Sequence, residues 1–355
     1  MLQIRFLQTG GWNLGSPVAG LPNSPEWLRQ TAASAVRRAV QNVFQTAVSQ
    51  GCSFVLAAGR VASRQNLPAA VAWLEPRLCH WRTQGVRLVV AGHDADEWPL
   101  LQSVGAIVLR PNCGLTVLPG GLDLVCTPAP QSGSLWVDSS GRPAVPLASQ
   151  DILYCAAMSA TAPDASAGLL LGSGETTVSQ KQMRLTTGSP QAVAANEPGA
   201  GCCALVTADF ARGELTAQGY SPDVLQFVSA REECVSGTTL PQLLKRLADR
   251  HRALSSGRVV RLVDWEIAGR LRFSVQDDAS LRESDVLDVL RRWSNAGHSG
   301  SWPYRLRFSE DCVIEVCERS SRLMAGILSA AASRGFVPGS GSSCLELLHQ
   351  LQRAA

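Results

Sequence analysis

Residues 9–15 read T-G-G-W-N-L-G and directly follow the alternating run QIRFLQ at 3–8. The same grammar returns twice, in FVLAAGRVASRQNLP at 54–68 and in VRLVVAGHD at 86–94. Each stretch is a short apolar run that ends in a glycine-bearing polar loop. Such runs predict strands over Gln3–Gln8, Ser53–Ala58 and Leu88–Ala91. Between them, Val36, Val40, Val43, Phe44 and Ala47 recur at three- and four-residue spacing, which predicts a helix over Thr31–Gln50 that covers one face of a sheet. A second amphipathic helix is expected over Leu67–Gln84. Short apolar strands alternating with helices imply an α/β fold whose largely parallel sheet is covered on both faces. No aspartate precedes Asp94.

Beyond Gly105 the pattern changes to short strands and Gly/Pro/Ser-rich turns. Ala106–Leu109, Gly121–Cys126 and Cys203–Asp209 are expected in a second, more antiparallel sheet. Thr239–Leu254 predicts a helix capped by threonine, and Ser255-Ser256-Gly257 marks a domain boundary. A strand over Val259–Ala268 that continues to Val275, a helix over Leu281–Asn295 and a strand over Tyr304–Val316 then make a small βαβ-like unit. Two closing helices are expected at Arg322–Ala332 and Ser343–Leu351.

The three loops resemble the first three metal-binding loops of the calcineurin-like metallophosphoesterases, in particular the DNA-repair exonuclease branch of SbcD-like subunits that work beside a coiled-coil ATPase. That branch reads roughly T-x-D-W-H-L-G, A-G-D-x-x-D and G-N-H-D. LTTGSPQAVAANEPGAGCCALV at 185–206 is similar to its G-S-P-Q turn, acidic residue and glycine-cysteine strand, and DILYCAAMS at 151–159 stands where D-Y-x-A-L-G-H-x-H is common. The resemblance implies a two-sheet metallophosphoesterase sandwich flanked by helices over residues 1–255, and a small α/β cap with C-terminal helices over 256–355.

Residue by residue, the resemblance places the first loop's aspartate and histidine on Gly11 and Asn13, and the second loop's two aspartates on Arg60 and Ser63. The third loop's ligands fall on His93 and Asp94, and the late histidine positions on Ala157 and Ser159. No histidine lies between His93 and His251. Two divalent ions about 4 Å apart repel by about 17 kcal/mol at an effective dielectric constant of about 20, and anionic ligands must offset this. Glycine, serine and alanine supply no such anchor for manganese or magnesium, and Arg60 brings a fixed positive charge. No cofactor is therefore expected; an active enzyme would need two divalent ions, Mn or Mg. The GHDADEW segment at 92–98 is either an exposed acidic loop or a rewired single-metal site around His93 and Asp94. Arg60 and Arg64 are candidates to grip a phosphate through paired N–H donors, or Arg60 points away from the site or pairs with an acidic neighbour.

The net charge of +3 does not by itself argue for nucleic acid, and Lys181 and Lys245 are the only lysines. Arginines between Arg246 and Arg272, with Arg291, Arg292, Arg305 and Arg307, read as a solvated face or as a phosphate-contacting surface. Trp265, Trp293 and Trp302 read as core or partner contacts rather than base-stacking platforms. Eleven scattered cysteines without a C-x-x-C pair read as reduced, mostly buried thiols. No apolar run is long enough to span a membrane, and the N-terminus lacks a secretory pattern, so a cytoplasmic protein is expected. The functional expectation is a catalytically inactive paralogue of a DNA-repair exonuclease subunit that binds or scaffolds, with DNA, an SbcC-like ATPase or an active paralogue as partner. The alternatives are an active metal-dependent exonuclease with substitute ligands and a protein-interaction module without a DNA role.

Overall fold

The computed structural model describes residues 3–21, 23–91, 98–109, 183–197, 201–209, 214–255, 257–273, 283–296 and 300–316, with the short strands 115–118, 122–126, 134–137, 154–157, 169–170 and 178–180. The chain opens with β1 (Gln3–Thr9), α1 (Glu26–Ser49), β2 (Phe54–Ala58), α2 (Leu67–Thr83), β3 (Arg87–Ala91), α3 (Trp98–Ser103) and β4 (Ile107–Leu109). β1 to β4 pair in parallel and in order, as strands joined by helical crossovers do. Helix α1 begins five residues before the expected start. Glu26 occupies its first turn, where a carboxylate favours the positive helix end. Thr31, the expected start, lies inside the helix and donates its hydroxyl to Trp27 O at 2.8 Å.

Six short strands follow: β5 (Leu115–Leu118), β6 (Leu122–Cys126), β7 (Ser134–Val137), β8 (Tyr154–Ala157), β9 (Leu169–Leu170) and β10 (Val178–Gln180). Next come β11 (Met183–Thr186), β12 (Cys203–Asp209) and β13 (Glu214–Tyr220). The seven-stranded sheet has the order β10-β13-β12-β1-β2-β3-β4, and the six-stranded sheet the order β5-β6-β7-β8-β11-β9. This corrects three expectations. The strand at 106–109 pairs in parallel with β3 in the first sheet, Val89 opposite Ile107. The strand at 203–209 also belongs there, antiparallel to β1 with Phe6 opposite Val206. The six-stranded sheet is antiparallel at β5 and β6 but parallel along β6-β7-β8-β11-β9, so turn-rich composition does not mean hairpins here.

Odd-numbered residues of β1 and β2, Leu7, Val55 and Ala57, and Leu88 and Val90 of β3 join one core cluster with Val40, Val43 and Phe44 of α1 and Leu74 and Trp81 of α2. The Phe44 ring stacks on Trp81 with centroids 3.7 Å apart, and Trp12 meets Phe44 edge-on at 6.0 Å. On the opposite face Phe6, Phe54, Leu56 and Val89 are also fully buried, with Phe6 stacked on Phe54 at 4.8 Å. The sheet is thus buried on both sides, as its continuous apolar strands require.

The last elements are β14 (Leu225–Thr239), α4 (Leu240–Leu254), β15 (Val260–Phe273), α5 (Glu283–Ala296), β16 (Ser301–Phe308) and β17 (Val313–Val316). The expected strand at 304–316 is interrupted by a turn, in which Cys312 N donates to Ser309 O at 2.9 Å. Strands β14, β15 and β16 are neighbours in that order, and β17 pairs in parallel with β15. The Thr239 cap works through its backbone: its N–H donates to Gln242 Oε1 at 3.0 Å, one half of a capping box. The chain divides into two compact units. One holds 1–228, 254–263 and 299–304, and the other holds 229–253, 264–298 and 305–355. In the first, Leu28, Ala35, Val224, Leu225, Leu262 and Trp302 form a second cluster. In the second, Trp265, Ile267, Leu243, Leu247 and Leu290 are buried, and Ser294 Oγ lies 2.6 Å from His251 Nε2. The expected closing helices lie outside the described residues. No helix among the described residues is long and apolar enough to cross a membrane.

Ahead of β14, Asp223 is 5% exposed and takes a 2.6 Å hydrogen bond from Ser221. Burial pushes its carboxyl from the ordinary 3.8 up to about 6. The folded chain therefore holds this proton more tightly than the unfolded chain, and its contribution is complete below about pH 4 and lost as pH rises through about 6. In urea unfolding, Asp223→Asn should remove up to about 3 kcal/mol of the stability lost between about pH 4 and pH 7. An identical pH profile in the variant would show that the native carboxyl ionises normally.

Candidate functional site

The loops after β1 and β2 leave the same end of two adjacent parallel strands and are zipped together by main-chain bonds. Trp12 N donates to Arg60 O and Leu14 N to Val61 O, both at 2.9 Å, and Leu14 forms a parallel bridge with Ala62. The side chains of Trp12 and Leu14 are buried, which holds their backbone in place, and the Trp12 indole also donates to Thr9 Oγ1 at 2.7 Å. On the other side, Gly10 N donates to Gly188 O at 2.8 Å, which ties the first loop to the G-S-P-Q turn.

This zipper determines what Gly11 can be. A Cβ at Gly11 would lie 3.0 Å from Arg60 O and 3.3 Å from Arg60 N, so the position where the resemblance puts an aspartate faces the neighbouring backbone. At Gly10 a Cβ would meet Thr187 O at 2.6 Å and Gly188 O at 2.7 Å. Asn13 sits in the left-handed region at φ 52°, which asparagine tolerates better than most residues. Its Nδ2 lies 3.4 Å from Glu197 Oε1. Ser63 is half-buried, and its carbonyl accepts from Asn66 N at 2.9 Å. Arg60 and Arg64 are both exposed. Ala157 is the last residue of β8, opposite Thr186 of β11. His93, Asp94 and Ser159 lie outside the described residues.

Glu197 is a hub that sequence reasoning missed. Its Oε1 lies 2.7 Å from Ser189 Oγ and its Oε2 accepts from Val193 N at 2.8 Å, while Asn13 approaches from the first loop. The signal for it is the acidic residue following the G-S-P-Q turn. Beside it, Gln191 is fully buried: its Oε1 accepts from Val224 N at 2.9 Å and its Nε2 donates to Leu225 O at 2.8 Å. The turn is therefore braced by side-chain bonds whose acceptors and donors are spent on the protein itself.

The residues present in the first two loops do not fit a pair of divalent ions. Gly11 offers no ligand and its Cβ position abuts the Arg60 backbone, Arg60 is cationic, and Asn13 is turned to Glu197. Among the described residues no three His, Cys, Asp or Glu side chains gather closely enough to hold a metal ion. The thiols of Cys52 and Cys203 are equally unreactive: burial pushes Cys52 up to about 12 and Cys203 well above its ordinary range, so both stay protonated at neutral pH. No protein-family model matches the chain, and no curated protein sequence matches it.

The two glycines should respond unequally to substitution. Gly10→Ala drives a methyl into two backbone oxygens and should lower stability by about 3 kcal/mol. Gly11→Ala, with contacts a few tenths of an ångström looser, should cost about 1 kcal/mol. Thermal unfolding of the two variants measures the difference, and equal losses would mean that the loops separate freely.

Proposed function

We propose that this chain is a non-catalytic paralogue of the exonuclease subunit, built on a two-sheet metallophosphoesterase sandwich with a small α/β cap, and that it binds or scaffolds in DNA repair. The observation that carries the non-catalytic reading is the contact between Gly11 and the Arg60 backbone, where the first loop's carboxylate would have to stand. The sandwich is supported by the fully buried face of Phe6, Phe54, Leu56 and Val89, which lies opposite the helices. The DNA-repair setting rests on the resemblance of the loops at 9–15, 54–68, 86–94 and 185–206. Partners of the proposal are DNA and an SbcC-like ATPase or an active paralogue.

Titration calorimetry with manganese, paired with a nuclease assay on linear DNA, tests the proposal. Neither stoichiometric binding of two ions nor metal-dependent cleavage is expected. Arg60→Asp alone should not create activity, because Gly11 and Asn13 remain without ligand function. Binding of two ions together with cleavage by the unaltered protein would overturn the reading in favour of an exonuclease with substitute ligands.

A second reading, a protein-interaction module without a DNA role, is favoured by the charge pairing of the second unit. Arg250 meets Glu232 at 2.7 Å, Arg307 meets Glu266 at 2.9 Å, Arg231 meets Glu266 at 3.0 Å, and Arg246 and Arg305 lie 3.9 Å from Glu232 and Asp264. Arginines held by carboxylates are poorly available to phosphates. Binding through this unit would give a log-log salt slope of about −0.9 per phosphate neutralised. The triple change Arg250→Ala, Arg305→Ala and Arg307→Ala is expected to leave any DNA affinity and its salt slope unchanged; a slope reduced by about two or more would restore the cap as a phosphate surface.

A further inference from the structure

We propose that the groove between α1 and α2 binds a phosphate ester, at a site separate from the β1 and β2 loops. The proposal does not depend on the reading of those loops. Trp73 of α2 stands beside the groove, against its lining residue Arg77. The Arg77 guanidinium carbon lies 4.2 Å from the Trp73 ring centre, and that of Arg37, reaching over from α1, lies 6.0 Å from the same ring. Two guanidinium groups thus converge on one indole. Neither arginine has a carboxylate partner within ion-pair distance among the described residues, in contrast to Arg231, Arg250 and Arg307 of the second unit. Two cations resting against one ring, with no carboxylate paired to either among the described residues, favour an anion from outside.

The surroundings point the same way. From Trp27 to Gln50 the chain contains no acidic residue, and α2 contains Glu75 alone. Glu75 is two residues from Arg77, about 200° around the helix, and so faces away from it. Arg77 Nη1 is spent on Trp73 O at 2.8 Å, whereas its Nε is buried and has no hydrogen-bond partner among the described residues. A buried cationic N–H without an acceptor is the kind of group that a bound anion satisfies.

Beside the arginines lies an open groove of about 440 Å³, within the range of small-ligand sites. Gln41 and Gln45 line it from α1, one turn apart and in line with Arg37, while Arg77, His80 and Gln84 line it from α2. Trp81, held by its stack on Phe44, also lines it. The walls therefore combine a guanidinium, amides and an imidazole with no carboxylate, which suits a phosphate together with the polar group it esterifies. A nucleotide matches this chemistry in size and charge, and the phosphate can come from a free nucleotide or from the backbone of single-stranded nucleic acid.

The test measures binding of adenosine monophosphate by calorimetry and of a fluorescein-labelled oligothymidylate by anisotropy, at about 50 mM salt, with the full chain. At least one probe should bind and be displaced by inorganic phosphate. Arg37→Glu and Arg77→Gln should each weaken that binding by about tenfold or more, and Arg292→Glu, in the second unit, should leave it unchanged. Arg37 is exposed, so its variant should unfold at the wild-type temperature and separate loss of binding from loss of fold. Binding of the monophosphate assigns the site to free nucleotides, and binding of the oligonucleotide alone assigns it to the nucleic-acid backbone. The proposal is overturned if neither probe binds, or if Arg37→Glu binds as the unaltered chain does.

Discussion

Two backbone hydrogen bonds, Trp12 to Arg60 and Leu14 to Val61, close the loops of β1 and β2 against each other. They depend on Trp12, whose indole is buried edge-on against Phe44 and which cannot shift without opening the core beneath it. The loops are consequently an extension of the sheet rather than a flexible rim. With the main chains in contact, a side chain at Gly11 would press on the Arg60 backbone, which would have to give by a few tenths of an ångström.

The polar residues retained around this end serve structure. Glu197 collects Ser189, the Val193 amide and Asn13, and Gln191 joins the turn to the segment that enters β14. Both side chains have their hydrogen-bonding capacity used within the protein, the condition under which polar groups in an interior rigidify a fold rather than destabilise it. The arginines follow two regimes. In the second unit Arg250, Arg305 and Arg307 face Glu232, Asp264 and Glu266, while Arg37 and Arg77 share a tryptophan on an acid-free helix face. A count of basic residues does not distinguish these regimes, because the difference lies in which carboxylates are within reach.

Much of the first sheet is legible in the residue pattern alone. The periodicity of Val36, Val40, Val43 and Phe44 marks the buried face of α1, and the continuous apolar runs of β2 and β3 mark strands covered on both sides. The start of α1 is not, because the three- and four-residue spacing that marks the helix begins at Val36, whereas Pro25 and Glu26 begin the helix and Leu28 is already buried. Strands β4 and β12 depart from their expected sheet for a different reason. Their local composition is that of turn-rich strands, and pairing with β3 and β1 is a long-range choice that no window of sequence contains. In the candidate site, Gly11, Asn13, Arg60 and Ser63 are readable from the loop pattern and Glu197 from its place after the G-S-P-Q turn, but the contact of Glu197 with Asn13 is not, because the two are distant along the chain.

The order of residues by itself determined the alternation of strands and helices, the apolar faces they bury and the chemical poverty of the loops at 9–15 and 54–68 in metal ligands, since all of these follow from side-chain type and local spacing. Tertiary structure alone decided that Gly11 backs onto Arg60, that Glu197 joins the first loop to the G-S-P-Q turn, and that Arg37 and Arg77 meet over Trp73. These contacts arise from the register of β1 beside β2, the antiparallel pairing of β12 with β1 and the packing of α1 beside α2, which bring residues distant along the chain within hydrogen-bonding or ring-contact distance.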